Sequence, residues 1–129
     1  MLTDPIADML TRIRNSIQRK HRFVDVNSSK LIKAILTVLK EEGFIQNFVE
    51  NKDVRLTRVF LRYDQDKESL VAGLKRVSKP GKRIYVKWFQ VPIVRRGLGT
   101  TVVSTSQGIM TGKKARQEKI GGELICCVW

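Results

Sequence analysis

Between residues 69 and 117 the chain has no aspartate or glutamate, although eleven lysines and arginines fall in that stretch. Histidine occurs once, as His21, and cysteine only as the neighbours Cys126 and Cys127. Each shortage excludes some chemistry. General acid–base catalysis needs a titratable group with a partner in reach. His21 stands in a basic run, where a cation at a helix end is the simpler role. For a metal ion or a nuclease centre the second half offers only Glu118 and Glu123. Adjacent cysteines cannot staple a loop, and no second pair or histidine cluster completes a zinc site. They read as small core or edge residues, which suits a reducing compartment. No stretch approaches the roughly 20 apolar residues of a membrane span. The opening Met1-Leu2-Thr3-Asp4-Pro5 lacks the basic and apolar regions of a signal peptide. The expectation is a soluble, non-enzymatic protein, retained where it is made, with no metal.

What abounds is positive charge. The formal net charge is +13, from 25 Lys+Arg against 12 Asp+Glu. Residues 1–68 hold 13 basic and 10 acidic residues, whereas residues 69–129 hold 12 basic and 2 acidic. A solubilising surface mixes both signs. A one-sided field on so small a chain favours a polyanionic partner and a phosphate-binding face. At 129 residues and 42% apolar content there is material for one or two small domains with ordinary cores.

Periodicity then divides the chain. Asp4 can cap a first helix and Pro5 fits its first turn. Ile6, Met9, Leu10, Ile13 and Ile17 fall on one face, with Arg12, Asn15, Ser16 and Arg19 opposite. Phe23-Val24-Asp25-Val26 alternates as a strand. Ser28 or Ser29 can cap a second helix with a buried stripe of Leu31, Ile32, Ile35, Leu36 and Leu39, stopped by Gly43. Residues 44–49 and 56–63 read as a hairpin around Asn51-Lys52-Asp53. Residues 64–68 are a polar linker. Beyond it, residues 73–77 and 83–86 look like strands around the turn Ser78-Lys79-Pro80-Gly81. A loop with Pro92, Gly97 and Gly99 follows, then a strand over 100–104. Thr111 can cap a short helix over 113–119 that Gly121-Gly122 ends, and 124–129 is a last apolar strand. The fold class is α+β with two small domains. The first, residues 1–65, has the order α-β-α-β-β, two helices covering one face of a three-stranded sheet. The second, residues 69–129, is β-rich with one short helix.

Three constellations carry chemistry. Gly108-Ile109-Met110-Thr111-Gly112-Lys113-Lys114 superficially resembles a phosphate loop. Its glycines stand one residue too close, however, and Lys114 occupies the place of the magnesium-binding hydroxyl. Lys79, Lys82, Arg83 and Lys87 are interleaved with Tyr85, Trp88 and Phe89. Cations find phosphates and rings stack on exposed bases, but Tyr85 and Trp88 could equally be core. Ser104-Thr105-Ser106-Gln107-Gly108 puts small hydroxyls before a capped helix start, where amides favour an anion and glycine admits close approach. Ordinary turn chemistry explains the same run.

Several ordered motifs bear a family likeness. Asp4-Pro5-Ile6-Ala7-Asp8-Met9-Leu10-Thr11-Arg12-Ile13-Arg14-Asn15 resembles the opening of bacterial small-subunit ribosomal protein eight, and Leu39-Lys40-Glu41-Glu42-Gly43-Phe44-Ile45 is similar to a later segment. Arg76-Val77-Ser78-Lys79-Pro80-Gly81 matches the family's mid-chain turn. Gly97-Leu98-Gly99 and Ser104-Thr105-Ser106-Gln107-Gly108-Ile109-Met110-Thr111 match its most distinctive part, and Gly121-Gly122-Glu123-Leu124 and Trp129 complete the pattern. The likeness runs from about residue 3 to residue 129.

The resemblance implies two α/β domains and a primary binder of an irregular stem in the central domain of small-subunit ribosomal RNA, supporting platform assembly. It implies small-subunit ribosomal proteins five and twelve as neighbours. In many bacterial members it also implies repression of the protein's own operon messenger RNA. It implies no cofactor. The family's RNA contacts carry over to Ser104, Thr105, Ser106 and Gly108, with Gln107 in the same run and Glu123 beside it. They extend to Lys30, Lys79, Arg83 and Tyr85, and to the basic face of the first helix at Arg12 and Arg14. The setting implied is the cytoplasmic ribosome of a bacterium, with a plastid or other organelle ribosome as the alternative. Gln107 stands where members often have Lys, Cys127 where an aromatic is common, and Arg95-Arg96 is more basic than the pattern. Outside the family, the rivals are a DNA-compacting protein, an enzyme and a binder of anionic membranes. The hydroxyl run argues against the first and the dearth of acid–base groups against the second. The third lacks a basic amphipathic helix with exposed aromatics.

Overall fold

The computed structural model describes residues 4–94 and 98–129. Thr3 of the opening motif, and Arg95, Arg96 and Gly97 of the expected loop, lie outside the described residues. The architecture is the expected α+β one. By contacts the described chain forms two compact units, residues 5–72 and residues 73–129 with Asp4.

The first unit runs α1 (Pro5–Gln18), β1 (Phe23–Asn27), α2 (Lys30–Glu41), β2 (Ile45–Asn51) and β3 (Leu56–Leu61), in the order read from periodicity. Its antiparallel sheet has the order β1-β3-β2. The pleat sends Val26, Thr57, Val59 and Leu61 to the buried side, while α1 packs along β1 and α2 along β2. Ser29 caps α2, its hydroxyl accepting the Ile32 amide at 3.0 Å, and Ser28 instead bonds Thr57 across the sheet at 2.7 Å. Two helical faces need correction. Ser16, expected on the polar side of α1, is buried, because it stands seven residues after Met9 and three after Ile13, on the apolar stripe. Leu31 is 41% exposed and Val38 is buried in its stead; Leu31 lies in the first turn, at the margin of a stripe centred on Ile35 and Leu36. The polar segment 64–68 is a closed turn, in which Asp64 accepts the Asp66 and Glu68 amides at 2.8 and 2.9 Å. Tyr63 and Ser69 form a β-bridge at its ends.

The second unit is built around one strand. Its elements are β4 (Leu74–Arg76), β5 (Tyr85–Val86), a 3-10 turn (Trp88–Gln90), β6 (Thr100–Thr105), β7 (Gly108–Thr111), α3 (Gly112–Gln117) and β8 (Gly122–Val128). β8 pairs antiparallel with β6 on one side. On the other it pairs with β4 along 126–128 and with β5 at 122–123. Segments 73–77 and 83–86, expected around one turn, therefore do not pair with each other. They follow β8 in the same direction, and the 78–83 loop is an excursion from a single interrupted edge. The cause is β8, whose length offers partners to both. β7 was not expected. The strand over 100–104 continues to Thr105, turns through Ser106-Gln107 and returns as β7, pairing Ser104 with Ile109 and Thr105 with Gly108. The run lacks the Asn-Gly or Asp-Gly pair that marks a tight hairpin.

Val91, Val103 and Leu124 form a core against Val77, Ile84 and Val86. Cys126 and Cys127 are buried in β8. Burial, reinforced by the Cys127 neighbour, pushes the Cys126 thiol up to about 12, and burial also raises Cys127. Both are neutral core groups at pH 7. Among the described residues no helix is long and apolar enough to cross a membrane. Among the described residues no cluster of His, Cys, Asp or Glu could hold a metal ion.

Gly122 does more than end a helix. A Cβ there would lie 2.1 Å from the Ser104 carbonyl oxygen, inside the β6–β8 ladder. Gly122→Ala is expected to cost about 1–3 kcal/mol, the scale of overpacking against backbone that cannot yield. Urea unfolding followed by circular dichroism measures this, and an unchanged midpoint would show that the ladder can open there without cost.

Candidate nucleic-acid interface

The strand pairings of the second unit gather most of the residues singled out from the sequence. Glu123 on β8 stands opposite Ser104 on β6 and opposite Tyr85 on β5, and Ser104 stands opposite Ile109 on β7. Directly paired residues point to the same face of a sheet. Tyr85, Glu123, Ser104 and Ile109 thus form one row across four strands. At its end is the hairpin tip, with Ser106 and Gln107 exposed in the turn.

The hydroxyls of the run differ in what they do. Thr105 donates to the Gly108 carbonyl at 2.8 Å and accepts the Gln107 amide at 3.1 Å, so its hydroxyl braces the turn. The hydroxyls of Ser104 and Ser106 make no hydrogen bond with any described residue, which leaves donors and acceptors at the surface. Gly108 has φ +111, which an L side chain rarely adopts, while a Cβ there would meet nothing within 4 Å. Backbone conformation requires the glycine, and the space above it is open. The expected helix-start anion site does not form at this run, because β7 separates it from α3.

Glu123 is the carboxylate of the row, and its side chain retains 15% exposure. Ser78 donates to its Oε2 at 2.5 Å and Arg83 Nη1 donates to the same oxygen at 3.0 Å. Burial alone would raise this carboxyl. The Ser78 and Arg83 hydrogen bonds, with the charges of Arg83 and Arg76, outweigh burial and hold it below the ordinary range. The Arg83 guanidinium is held above its ordinary value by the same pair. The carboxyl is therefore ionised at neutral pH.

Lys79 lies exposed in the excursion loop, where a Lys79–Lys82 bridge closes the turn. Tyr85 is 70% exposed, so its ring is no part of the core. Trp88 is half-buried and packs edge-on against exposed Phe89, with centroids 5.4 Å apart. Arg12, Arg14 and Lys30 belong to the first unit, with Arg12 and Arg14 on α1 and Lys30 opening α2. Arg12 bonds Asp8 at 2.9 Å. Sequence reasoning missed Ser78, quoted only as a turn residue. It is fully buried under the carboxylate, and nothing but a hydroxyl at the head of a turn signalled it.

A carboxyl held below its ordinary value stabilises the fold above that value, and this contribution is lost as pH falls through the lowered one. Glu123→Gln should therefore lower stability by a constant amount near neutrality, and by progressively less below the ordinary value of 4.5. Urea midpoints of both proteins from about pH 7 to about pH 3 measure the gap. A gap that does not narrow in acid would mean the carboxyl is not held in its charged form.

The family model described as ribosomal protein S8 matches residues 4–129. A protein of Streptococcus suis named small ribosomal subunit protein uS8 is 50% identical over 131 aligned residues, covering 100% of this chain and 99% of the relative. Its namesake in Geobacillus kaustophilus is also 50% identical over 131, with the same coverage. That of Caldicellulosiruptor bescii is 50% identical over 128, covering 98% and 97%. The chain belongs to the ribosomal protein S8 family and is a structural component of the small ribosomal subunit rather than an enzyme.

Proposed function

We propose that the chain grips an irregular stem in the central domain of small-subunit ribosomal RNA and supports platform assembly there. The contact surface is formed by Ser104, Thr105, Ser106, Gln107, Gly108 and Glu123, with Lys79, Arg83 and Tyr85 around them. One observation carries the reading: the unengaged hydroxyls of Ser104 and Ser106 lie along an ionised carboxylate and an exposed ring, in a half of the chain with 12 basic and 2 acidic residues. Helical RNA exposes little sequence, so recognition needs unpaired bases whose faces stack and whose edges hydrogen-bond. Tyr85 supplies a stacking surface and the hydroxyls and Glu123 supply edge contacts. Lys79 supplies charge, having no ion pair among the described residues. Arg12, Arg14 and Lys30 add phosphate contacts from the first unit.

The same residues would bind a similar stem in the operon's own messenger RNA and so repress its translation. Contacts with small-subunit ribosomal proteins five and twelve fall mainly to the first unit, whose charge is near balance. The curated relatives compared above are bacterial, which supports a cytoplasmic bacterial ribosome as the setting over an organelle ribosome.

Competition binding tests the reading: an internal-loop stem of small-subunit RNA should outcompete duplex RNA and duplex DNA at moderate salt. Equal affinities would favour general compaction of nucleic acid. Ser106→Ala should weaken specific binding by about 1–3 kcal/mol, the scale of leaving a buried polar partner unpaired, with no change in melting temperature. Loss of stability without loss of affinity would make the hydroxyl a turn element only. Each neutralised phosphate adds about 0.7–0.9 to the slope of log affinity against log salt. Lys79→Gln should flatten that slope by about one such step, while Lys52→Gln in the first unit should leave it unchanged. Equal effects would mean that the first unit supplies as much of the charge contact as the second, against this division.

A further inference from the structure

Ser78 is 0% exposed, in a unit whose other candidate groups face outward. Its hydroxyl works in two directions. It accepts the Ile84 amide at 3.1 Å, closing the neck of the excursion loop, and donates to Glu123 Oε2 at 2.5 Å. Arg83 Nη1 reaches the same oxygen at 3.0 Å. Both donors therefore converge on Oε2. Oε1 receives no hydrogen bond from any described residue, and it is not sealed from solvent. A carboxylate anchored by one oxygen presents the other as an acceptor in a fixed place. The residue that bears it stands directly across from Ser104 on one neighbouring strand and Tyr85 on the other.

We propose that Ser78 is a positioning residue for RNA recognition: fixed between Ile84 and Glu123, it sets the carboxylate so that Oε1 accepts a hydrogen bond from an N–H or O–H of an unpaired nucleotide. The proposal rests on the reading of this surface as the RNA interface. An ionised carboxylate can only accept, so it repels phosphate and takes a donor, whether a base amino group or a ribose 2′-hydroxyl. Surrounding cations draw in the backbone of any nucleic acid, and Glu123 admits only a nucleotide that offers a donor to the row. Arg83 belongs to the same device. Its charge is engaged by Glu123, so its removal acts on the carboxylate's orientation more than on the count of neutralised phosphates.

The test uses the full chain and an internal-loop stem of small-subunit RNA. Ser78→Ala should weaken binding about tenfold, the scale of one hydrogen bond to a charged group. In a Glu123→Gln background it should weaken binding no further. The Gln carbonyl stays on Ser78 and turns an amide N–H2 to where Oε1 stood, donor against donor. The loss of affinity in acid should move to higher pH in Ser78→Ala, since one of the bonds that keep the carboxyl ionised is gone. Arg83→Gln, on an exposed side chain, disturbs no core. It should show the same lack of additivity with Glu123→Gln and keep the parent's salt slope.

RNA lacking exocyclic amino groups in the loop, and RNA with 2′-deoxy loop sugars, separate the two donor sources. The one that Oε1 uses should weaken the parent and not Glu123→Gln. Independent, multiplying losses from Ser78→Ala and Glu123→Gln overturn the positioning role, as does a parent-like pH profile for Ser78→Ala. If Glu123→Gln binds like the parent while Ser106→Ala does not, this proposal fails and the wider reading stands. If neither substitution matters, both fail.

Discussion

The second unit depends on the double pairing of β8. A strand hydrogen-bonded on both edges fixes the register of its neighbours, and a one-residue slip would turn every side chain to the opposite face. That register sets Glu123 between Tyr85 and Ser104. It also requires Gly121 and Gly122, because a Cβ at either would strike the backbone of Val86 or Ser104 within 2.4 Å. The excursion loop that carries Lys79 is likewise an interruption of the β8 edge, closed by the Ser78 hydroxyl.

Charge in this unit is distributed by function as well as by number. Two of its basic residues work inside the fold. The Arg76 side chain is 8% exposed, holding Asp4 at 3.1 Å and the Ile125 carbonyl at 2.7 Å, and Arg116 bonds the Val91 carbonyl at 2.7 Å. Arg83 is committed to Glu123. Among the described residues the outward field therefore comes from the lysines, which suits attraction of phosphate with little geometric demand. In the proposed reading, specificity rests with hydroxyls, a ring and one tethered carboxylate, whose positions the sheet fixes.

The first unit follows a different logic. Part of its surface charge is answered within it, by the pairs Arg12–Asp8, Lys20–Glu68, Lys33–Glu50 and Arg58–Asp25. Exposed pairs of this kind stabilise little and are screened by salt, but they leave less unbalanced charge to attract a polyanion. The helices satisfy their own backbone and bury a continuous stripe, so this unit has the character of a scaffold.

The sequence by itself determined the local elements and their order. A stripe such as Met9, Leu10 and Ile13, a capping Ser29 and a run of β-branched residues are short-range facts, and short-range physics reads them. It determined the partner class too, since no arrangement of residues 69–117 can supply a carboxylate that is not there. The family followed from ordered motifs along the whole chain. What only the tertiary structure decided was pairing. Residues 74–76 and 85–86 looked like partners and instead share β8, and the run 104–108 proved to be a hairpin whose return strand carries no turn signature. Ser78 and Glu123 lie 45 residues apart, so no local pattern could join them. Hydrogen-bond partners across a sheet are chosen by register and burial over the whole unit, and that choice made a buried serine the support of an exposed surface.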